Sequence, residues 1–285
     1  MDSLENSVLN DGSLCDNRSI GVFDSGMGGL TALKELRNVL PHENIIYFGD
    51  TARLPYGTRG KDTILHYAKQ DINFLLSRDV KAIIVACGTA STVIDKEEMK
   101  RYDVPIFTAI DTASYEACRV TKNKKVGVIA TSATINSGAQ NKSIGKFDKT
   151  VKVYTRACPL LVSLVENGYI ERDNKVTRLV LEDYLYDMKK NDVDTLIMGC
   201  THFPIIKDAI GDIMGDHVTL INNGEQVAKY AAKKLHAMHL LTDSKAFGEC
   251  SYYVSDNPEN FSNMASIFLS GEPHVSATRI DITKY

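Results

Sequence analysis

Two cysteines occupy matching places in the chain, each directly after an apolar run that predicts a buried strand. Cys87 follows AIIVA and precedes GTAS, and Cys200 follows TLIMG and precedes THFP. We expect a helix to begin after each cysteine, where the positive end of the helix dipole favours a thiolate. A single cysteine at a strand end is more often a small buried apolar residue. The matched pair instead indicates two thiol acid/base groups on either side of one ligand.

Such a pair is suited to inverting a carbon stereocentre by removal and return of a proton. One group takes the proton from one face of the carbon, and the other delivers a proton to the opposite face. The planar carbanionic intermediate needs no cofactor if fixed donors hold the substrate carboxylate. We therefore predict a reaction without a cofactor and without a metal ion.

Other polar residues also follow predicted strands. Asp24 comes after GVF, Asp50 comes after YFG, and His202 lies two residues after Cys200. Asp24 and His202 could exchange protons with the neighbouring thiols. Hydroxyl and backbone N–H groups are expected to bind a carboxylate, and the candidates are Ser25, Gly57, Thr89, Thr131 and Thr201. The alternatives are that the aspartates cap helices or turns and that His202 is structural.

The elements that must position these groups alternate along the chain from Ser19 onward. Short β-branched runs predict strands, and longer amphipathic stretches such as TALKELRNVL and VTRLVLEDYLYDMKKN predict helices. This alternation is typical of parallel sheets covered by helices, which bind ligands beyond the carboxyl ends of their strands.

Two segments of the sequence are echoed later in the chain. GVFDSGMGG at position 21 is echoed by GVIATSATI at 127, and AIIVACGTAS at 82 is echoed by TLIMGCTHFP at 195. Chance similarity between buried strands is the alternative. We predict an α/β protein with two similar doubly wound parallel-sheet domains, related by pseudo-two-fold symmetry, with the active site at their interface. The predicted division is a disordered leader 1–18, a first domain 19–112 plus 222–285, and a second domain 113–221.

Composition excludes several classes of protein. The 285 residues include 33 basic and 36 acidic ones, a net charge of −3, which does not favour nucleic-acid binding. No apolar run reaches the roughly 18 residues of a membrane-spanning helix, and the polar N-terminus is not a signal peptide. Six cysteines without a CxxC pair indicate a reducing, cytoplasmic setting.

Two weaker motifs are set aside. The glycines at 26–29 fail the dinucleotide-binding template, because its third glycine would fall at Thr31. His236 and His239 have metal-ligand spacing, but a solvated helix face is the simpler interpretation. Cys158 is interpreted as packing, and Cys15, Cys118 and Cys250 have no evident role.

The chain resembles the glutamate racemases, which belong to the cofactor-independent aspartate/glutamate racemase superfamily. The resemblance runs from Ser19 nearly to the end through GVFDSGMGGLT, YFGDTARLPYG, VACGTAS, GVIATSATINSG, ACPLLVSLVENG and GCTHFP. It implies an isomerase that supplies D-glutamate for bacterial peptidoglycan, and hence for cell wall biogenesis and cell shape. It also implies that Cys87 deprotonates D-glutamate with help from Asp24, and that Cys200 deprotonates L-glutamate with help from His202.

The resemblance further implies supporting roles for Asp50 and Glu166. The implied substrate contacts are Asp24, Ser25, Pro55, Tyr56, Gly57, Gly88, Thr89, Thr131, Thr134, Thr201 and His202. The expected partner is the small molecule glutamate, with no nucleic acid and no membrane, and a homodimer is possible.

The sequence departs from the family at three places. Gly88 replaces an Asn directly after the first catalytic cysteine, Asn222-Asn223-Gly224-Glu225 replaces an Asp-Ser motif, and Asp111-Thr112-Ala113 replaces a Pro-Gly. Because Gly88 is at a ligand-contact position, we predict a weaker or differently selective enzyme, unless Asn222, Asn223 or Thr112 compensates.

Three alternatives remain open at this point. The chain could racemise aspartate or another acidic amino acid. It could be a thiol redox protein that forms a reversible bond between Cys87 and Cys200. It could also be a weakly active relative that binds a partner.

Overall fold

The computed structural model describes residues 15–269 and 275–285, and within them it contains two sheets in which all paired strands are parallel. The strands of the first sheet are β1 (Ile20–Asp24), β2 (Ile45–Gly49), β3 (Ala82–Val85), β4 (Ile106–Thr108), β9 (Cys250–Val254) and β10 (Ala277–Arg279). Those of the second are β5 (Lys125–Ala130), β6 (Lys152–Ala157), β7 (Thr195–Met198) and β8 (Thr219–Asn222). The predicted α/β architecture is therefore confirmed.

The helices lie between these strands in the chain. They are α1 (Leu30–Val39), α2 (Lys61–Leu76), α3 (Gly88–Ser91), α4 (Lys96–Met99), α5 (Ala109–Val120), α6 (Ser132–Asn136), α7 (Ala139–Phe147), α8 (Pro159–Glu166), α9 (Lys175–Lys190), α10 (Lys207–Met214), α11 (Asn223–Ala237) and α12 (Pro258–Phe268). Short 3-10 turns occur at Thr51–Arg53, Tyr56–Thr58, Phe203–Ile206 and Ile282–Lys284.

Four strands of each sheet have the same order. The first sheet runs β10-β9-β2-β1-β3-β4 and the second runs β6-β5-β7-β8, so β1 corresponds to β5 and β3 to β7. The two sequence echoes start on these pairs, as expected for two copies of one unit. Consequently Cys87 and Cys200 follow strands at equivalent positions in the two sheets.

The sequence folds this way because its apolar runs are buried. Every residue of β3 and β7 is buried, as expected for central parallel strands with neighbours on both sides. Between the sheets, α5 follows β4 and leads into β5, while α11 follows β8, and these two helices pack against each other. These two connecting helices therefore meet where the half of the molecule that contains the first sheet joins the half that contains the second.

Several predicted boundaries fall on residues that the structure describes. Residues 1–14 of the predicted leader lie outside the described residues. Residues 16–18 of that leader are held by contacts, because the Asp16 N–H donates to the Leu241 carbonyl at 3.3 Å and Arg18 forms an ion pair with Asp16 at 2.6 Å. The domain boundary proposed after residue 112 falls inside α5. In the described ranges, no helix is both long and apolar enough to cross a bilayer.

Candidate active site

A cavity of about 390 Å³ lies at the carboxyl ends of strands from both sheets. Cys87 and Cys200 both line it, and their side chains are nearly buried at 5% and 7% exposure. Most of the predicted substrate contacts line it as well: Ser25, Pro55, Tyr56, Gly57, Gly88, Thr89, Thr131, Thr201 and His202, together with Glu166. The topology thus brings together residues that are more than a hundred positions apart in sequence.

The Cys87 thiol has two close polar partners. It donates to Ser25 Oγ at 3.6 Å, and its sulfur accepts from the Ala90 N–H at 3.4 Å as the N-cap of α3. Burial, together with the charge of Asp24, raises the pKa of Cys87 to about 12. The dipole of α3 was expected to favour the thiolate. Desolvation of the thiolate outweighs this effect, because a helix of four residues offers little compensation for burial. Cys87 is a neutral thiol near pH 7.

Asp24 lies at the end of β1, fully buried behind the cavity wall. Its carboxylate accepts from the Gly26 N–H at 2.9 Å and from the Thr201 hydroxyl at 3.3 Å. Burial raises the pKa of Asp24, although the charge of His202 and these hydrogen bonds oppose the rise. Asp24 therefore influences Cys87 through its charge and joins the two halves through Thr201.

His202 lies between Cys200 and Glu166. Its Nδ1 is 3.7 Å from the Cys200 sulfur, and its Nε2 is 2.9 Å from Glu166 Oε1. Burial disfavours the imidazolium, but the hydrogen bonds and charges of Cys200 and Glu166 prevail and raise the pKa of His202 to about 10. A protonated His202 can therefore donate to both neighbours near pH 7. Proton exchange between His202 and the adjacent thiol, as predicted, is compatible with this geometry.

Three threonine hydroxyls form a cluster at the cavity. Thr89 Oγ1 is 2.8 Å from Thr131 Oγ1 and 3.2 Å from Thr134 Oγ1, and Thr131 and Thr134 are 2.9 Å apart. Thr89 and Thr131 line the cavity, whereas Thr134 is 1% exposed and lies behind them. Thr134 thus holds the two lining hydroxyls in place.

The segment Pro55-Tyr56-Gly57 forms another part of the wall. A Cβ at Gly57 would lie 2.7 Å from Thr131 Cβ, so glycine permits this close approach between the halves. Asp50 lies behind the segment, fully buried, and accepts a hydrogen bond from the Tyr56 hydroxyl. The supporting role predicted for Asp50 would therefore be exerted through Tyr56.

Gly88 is in tight contact with the other half. A Cβ at this position would lie 2.2 Å from the Gly199 carbonyl oxygen, which is backbone and cannot turn aside. Two of the proposed compensating residues are engaged locally, because Asn222 caps α11 by accepting from the Gly224 N–H at 2.9 Å and Thr112 donates to the Ala109 carbonyl at 2.9 Å. An Asn side chain at position 88 would therefore meet the Gly199 carbonyl oxygen.

Several lining residues were not identified from the sequence. They are Leu54, Thr58, Ser132, Pro159, Leu160, Val162, Ser163 and Gly199. The spacing on α8 could have identified three of them. Pro159, Val162 and Ser163 precede Glu166 by seven, four and three residues, and therefore share its helix face. Within residues 15–269 and 275–285, no group of three or more His, Cys, Asp or Glu side chains could hold a metal ion.

Comparisons with known proteins give a consistent result. The family model described as Asp/Glu/Hydantoin racemase matches residues 31–242. A glutamate racemase of Geobacter metallireducens is 42% identical over 255 residues, which are 90% of this chain and 94% of that protein. The crystal structure of a glutamate racemase isoform from Bacillus anthracis has a TM-score of 0.89 at 32% identity, covering 93% of this chain and 98% of its own. A Francisella tularensis glutamate racemase solved with D-glutamate has a TM-score of 0.87 at 39% identity, covering 95% and 100%.

Proposed function

Because the chain belongs to the Asp/Glu/Hydantoin racemase family, we propose that it interconverts L- and D-glutamate with Cys87 and Cys200 as the two acid/base groups. The observation that carries this proposal is the presence of both thiols on one cavity, each following an equivalent strand of its sheet. Glutamate is the substrate named for relatives that are about 40% identical over most of the chain.

The reaction requires one thiolate and one thiol at the start of each turnover. With L-glutamate, the Cys200 thiolate removes the α-proton, and the Cys87 thiol delivers a proton to the opposite face of the planar carbanion. The reverse reaction begins with Cys87 as the thiolate. Protonated His202 donates a hydrogen bond to the Cys200 sulfur when that sulfur is anionic, and Asp24 disfavours a second negative charge at Cys87.

The cavity wall is suited to a dicarboxylate held by neutral donors. In the described part of the chain, the lining residues include neither Lys nor Arg. Hydroxyl groups of Ser25, Thr89, Thr131 and Thr201 can instead donate to the substrate oxygens, next to the imidazolium of His202. Such fixed donors stabilise the negative charge that develops as the α-proton leaves.

The test is incubation with L-glutamate in heavy water. We expect the α-proton NMR signal to disappear while the optical rotation falls to zero, because every proton returned comes from solvent. A variant lacking both thiols, C87S/C200S, is the matched control and should leave the signal intact. Absence of exchange with glutamate, aspartate and related acids would contradict the proposal.

The same preparation distinguishes the alternatives. Faster exchange with aspartate than with glutamate would favour an aspartate racemase. Rapid and reversible formation of a Cys87–Cys200 disulfide on addition of hydrogen peroxide would favour a redox protein. Binding of glutamate without exchange would favour a binding role. A cytoplasmic location, supply of D-glutamate to peptidoglycan and a homodimeric state are parts of the proposal that follow from the resemblance.

A further inference from the structure

Asp71 on α2 is a fully buried carboxyl group to which the reaction assigns no role. Its Oδ1 accepts from Arg53 Nη2 at 3.0 Å, and its Oδ2 lies 2.9 Å from the hydroxyl of Tyr56. Tyr56 lines the active-site cavity, whereas Asp71 does not. Asp71 therefore contacts the cavity wall from behind.

Tyr56 is shared between two carboxyl groups. Its hydroxyl is also within hydrogen-bond distance of Asp50 Oδ2. A phenol has one proton, so it can donate to one carboxylate only. The second contact becomes a hydrogen bond only if the other carboxyl group carries a proton and donates it to the Tyr56 oxygen. Both contacts can therefore be hydrogen bonds only when one aspartate in this cluster is protonated.

The surroundings identify which aspartate is protonated. Asp50 accepts from Arg53 Nε at 2.6 Å and from the Ser255 hydroxyl at 2.8 Å, in addition to Tyr56. Asp71 has the single Arg53 donor at one oxygen, which leaves its other oxygen free to carry the proton. Asp50 is therefore the carboxylate that balances Arg53, and Tyr56 donates to it.

We propose that Asp71 is a positioning residue that acts as a neutral carboxylic acid: it donates to Tyr56 Oη and so fixes the Pro55–Gly57 part of the cavity wall. The groups that face it are Asp50 from the end of β2, Arg53 and Tyr56 from the following 3-10 turns, and, at longer range, Asp24 from β1. Arg53 is itself held over the Tyr67 ring, 4.2 Å from its centroid.

Electrostatics support this assignment. Burial and the nearby charge of Asp50 raise the pKa of Asp71 well above its usual range, although Arg53 opposes the rise. A carboxyl group whose pKa is raised on folding binds more protons in the native state than in the unfolded state. It therefore contributes most to stability at acid pH, and the contribution is lost as the pH rises from about 4 through the raised pKa.

The first test is Asp71→Asn, because an amide reproduces the neutral acid. Its oxygen can accept from Arg53 while its NH₂ donates to Tyr56. We expect a melting temperature equal to or above that of the wild type at pH 7, with an advantage that grows between pH 5 and pH 9. A melting temperature several degrees lower, with a difference that stays constant over this range, would show that Asp71 is a carboxylate and would overturn the proposal.

Asp50→Asn is the matched control, since it removes the carboxylate partner of Arg53 and should lower the melting temperature throughout this range. The positioning role also predicts kinetics and so rests on the proposed function. Asp71→Asn should keep kcat/KM for glutamate within about threefold of the wild type, whereas Asp71→Leu, which cannot donate, should raise KM at least tenfold. Equal KM values in these two variants would overturn the positioning role. The melting experiment uses no substrate, so a failure of the proposed function would not affect its result.

Discussion

The two thiols of the cavity have different neighbours. Cys87 is next to a serine hydroxyl and the charge of a buried aspartate, whereas Cys200 is next to a histidine that is bonded to a glutamate. Matching positions in two similar sheets have therefore been given unlike electrostatic surroundings. The two half-reactions therefore begin in different electrostatic environments.

Replacement of either thiol should separate the two half-reactions. We expect Cys87→Ser and Cys200→Ser each to abolish racemisation, because an alcohol is a much weaker acid than a thiol near neutral pH. Each variant should still release the α-proton from one enantiomer of a substrate with a good leaving group at the β-carbon. Elimination rates measured with both enantiomers should show opposite preferences in the two variants. Wild-type turnover in either one would contradict the assignment.

Deprotonation of His202 should make the folded protein less stable as the pH rises through the alkaline range. Its pKa is raised from 6.5 to about 10, so its contribution is complete below pH 6.5 and is lost as the pH rises through about 10. We expect the melting temperature of the wild type to fall more steeply between pH 7 and pH 10 than that of His202→Gln. Parallel curves for the two proteins would show that His202 is neutral in the folded state.

At the scale of elements, prediction succeeded where burial imposes a simple pattern. The apolar runs ending at Cys87 and Cys200 correspond to β3 and β7, which are buried throughout. By contrast, β9 and β10 were missed, because both contain exposed residues and β10 has only three residues. The carboxyl group of Asp71 was missed for another reason: its partners come from a different part of the chain, and a single sequence does not record such contacts.

The start of α3 gives a prediction about packing. Any side chain at position 88 must displace the Gly199 carbonyl, 2.2 Å from the position of its Cβ. We expect Gly88→Ala and Gly88→Asn to lower the free energy of unfolding by about 1–3 kcal/mol, a typical cost of overpacking. Denaturant unfolding measures this cost, and the alanine variant separates it from any effect of the amide. A Gly88→Asn protein with unchanged stability and at least tenfold higher kcat/KM would show instead that the side chain fits and that its amide adds a hydrogen bond to the substrate.

At the scale of the whole molecule, a buried ion pair connects distant parts of the chain. Lys81 and Glu43 are 1% and 3% exposed, and their charged atoms are 2.5 Å apart. Glu43 also accepts from the Thr242 N–H at 2.8 Å, and Lys81 donates to the Asp16 carbonyl. The pair therefore links the segment before β1 to the segment after α11.

Removal of one partner should be costly. We expect Lys81→Met to lower the free energy of unfolding by about 3–5 kcal/mol, because it leaves the Glu43 charge buried and uncompensated. The double variant Lys81→Met with Glu43→Gln should recover part of this loss. Chemical denaturation of the three proteins measures both effects. A single variant as stable as the wild type would contradict the cost assigned to an uncompensated buried charge.

The unlike surroundings of Cys87 and Cys200 have a consequence set by chirality. Mirror-image molecules have equal free energies in water, so the equilibrium constant between them is one at every pH. The ratio of kcat/KM in the two directions equals this equilibrium constant, because kcat/KM refers to free enzyme and free substrate. The value of kcat/KM must therefore be the same for both enantiomers, however unequal the two thiols are. The asymmetry of the site can therefore appear only as KM and kcat values that differ between the enantiomers by the same factor.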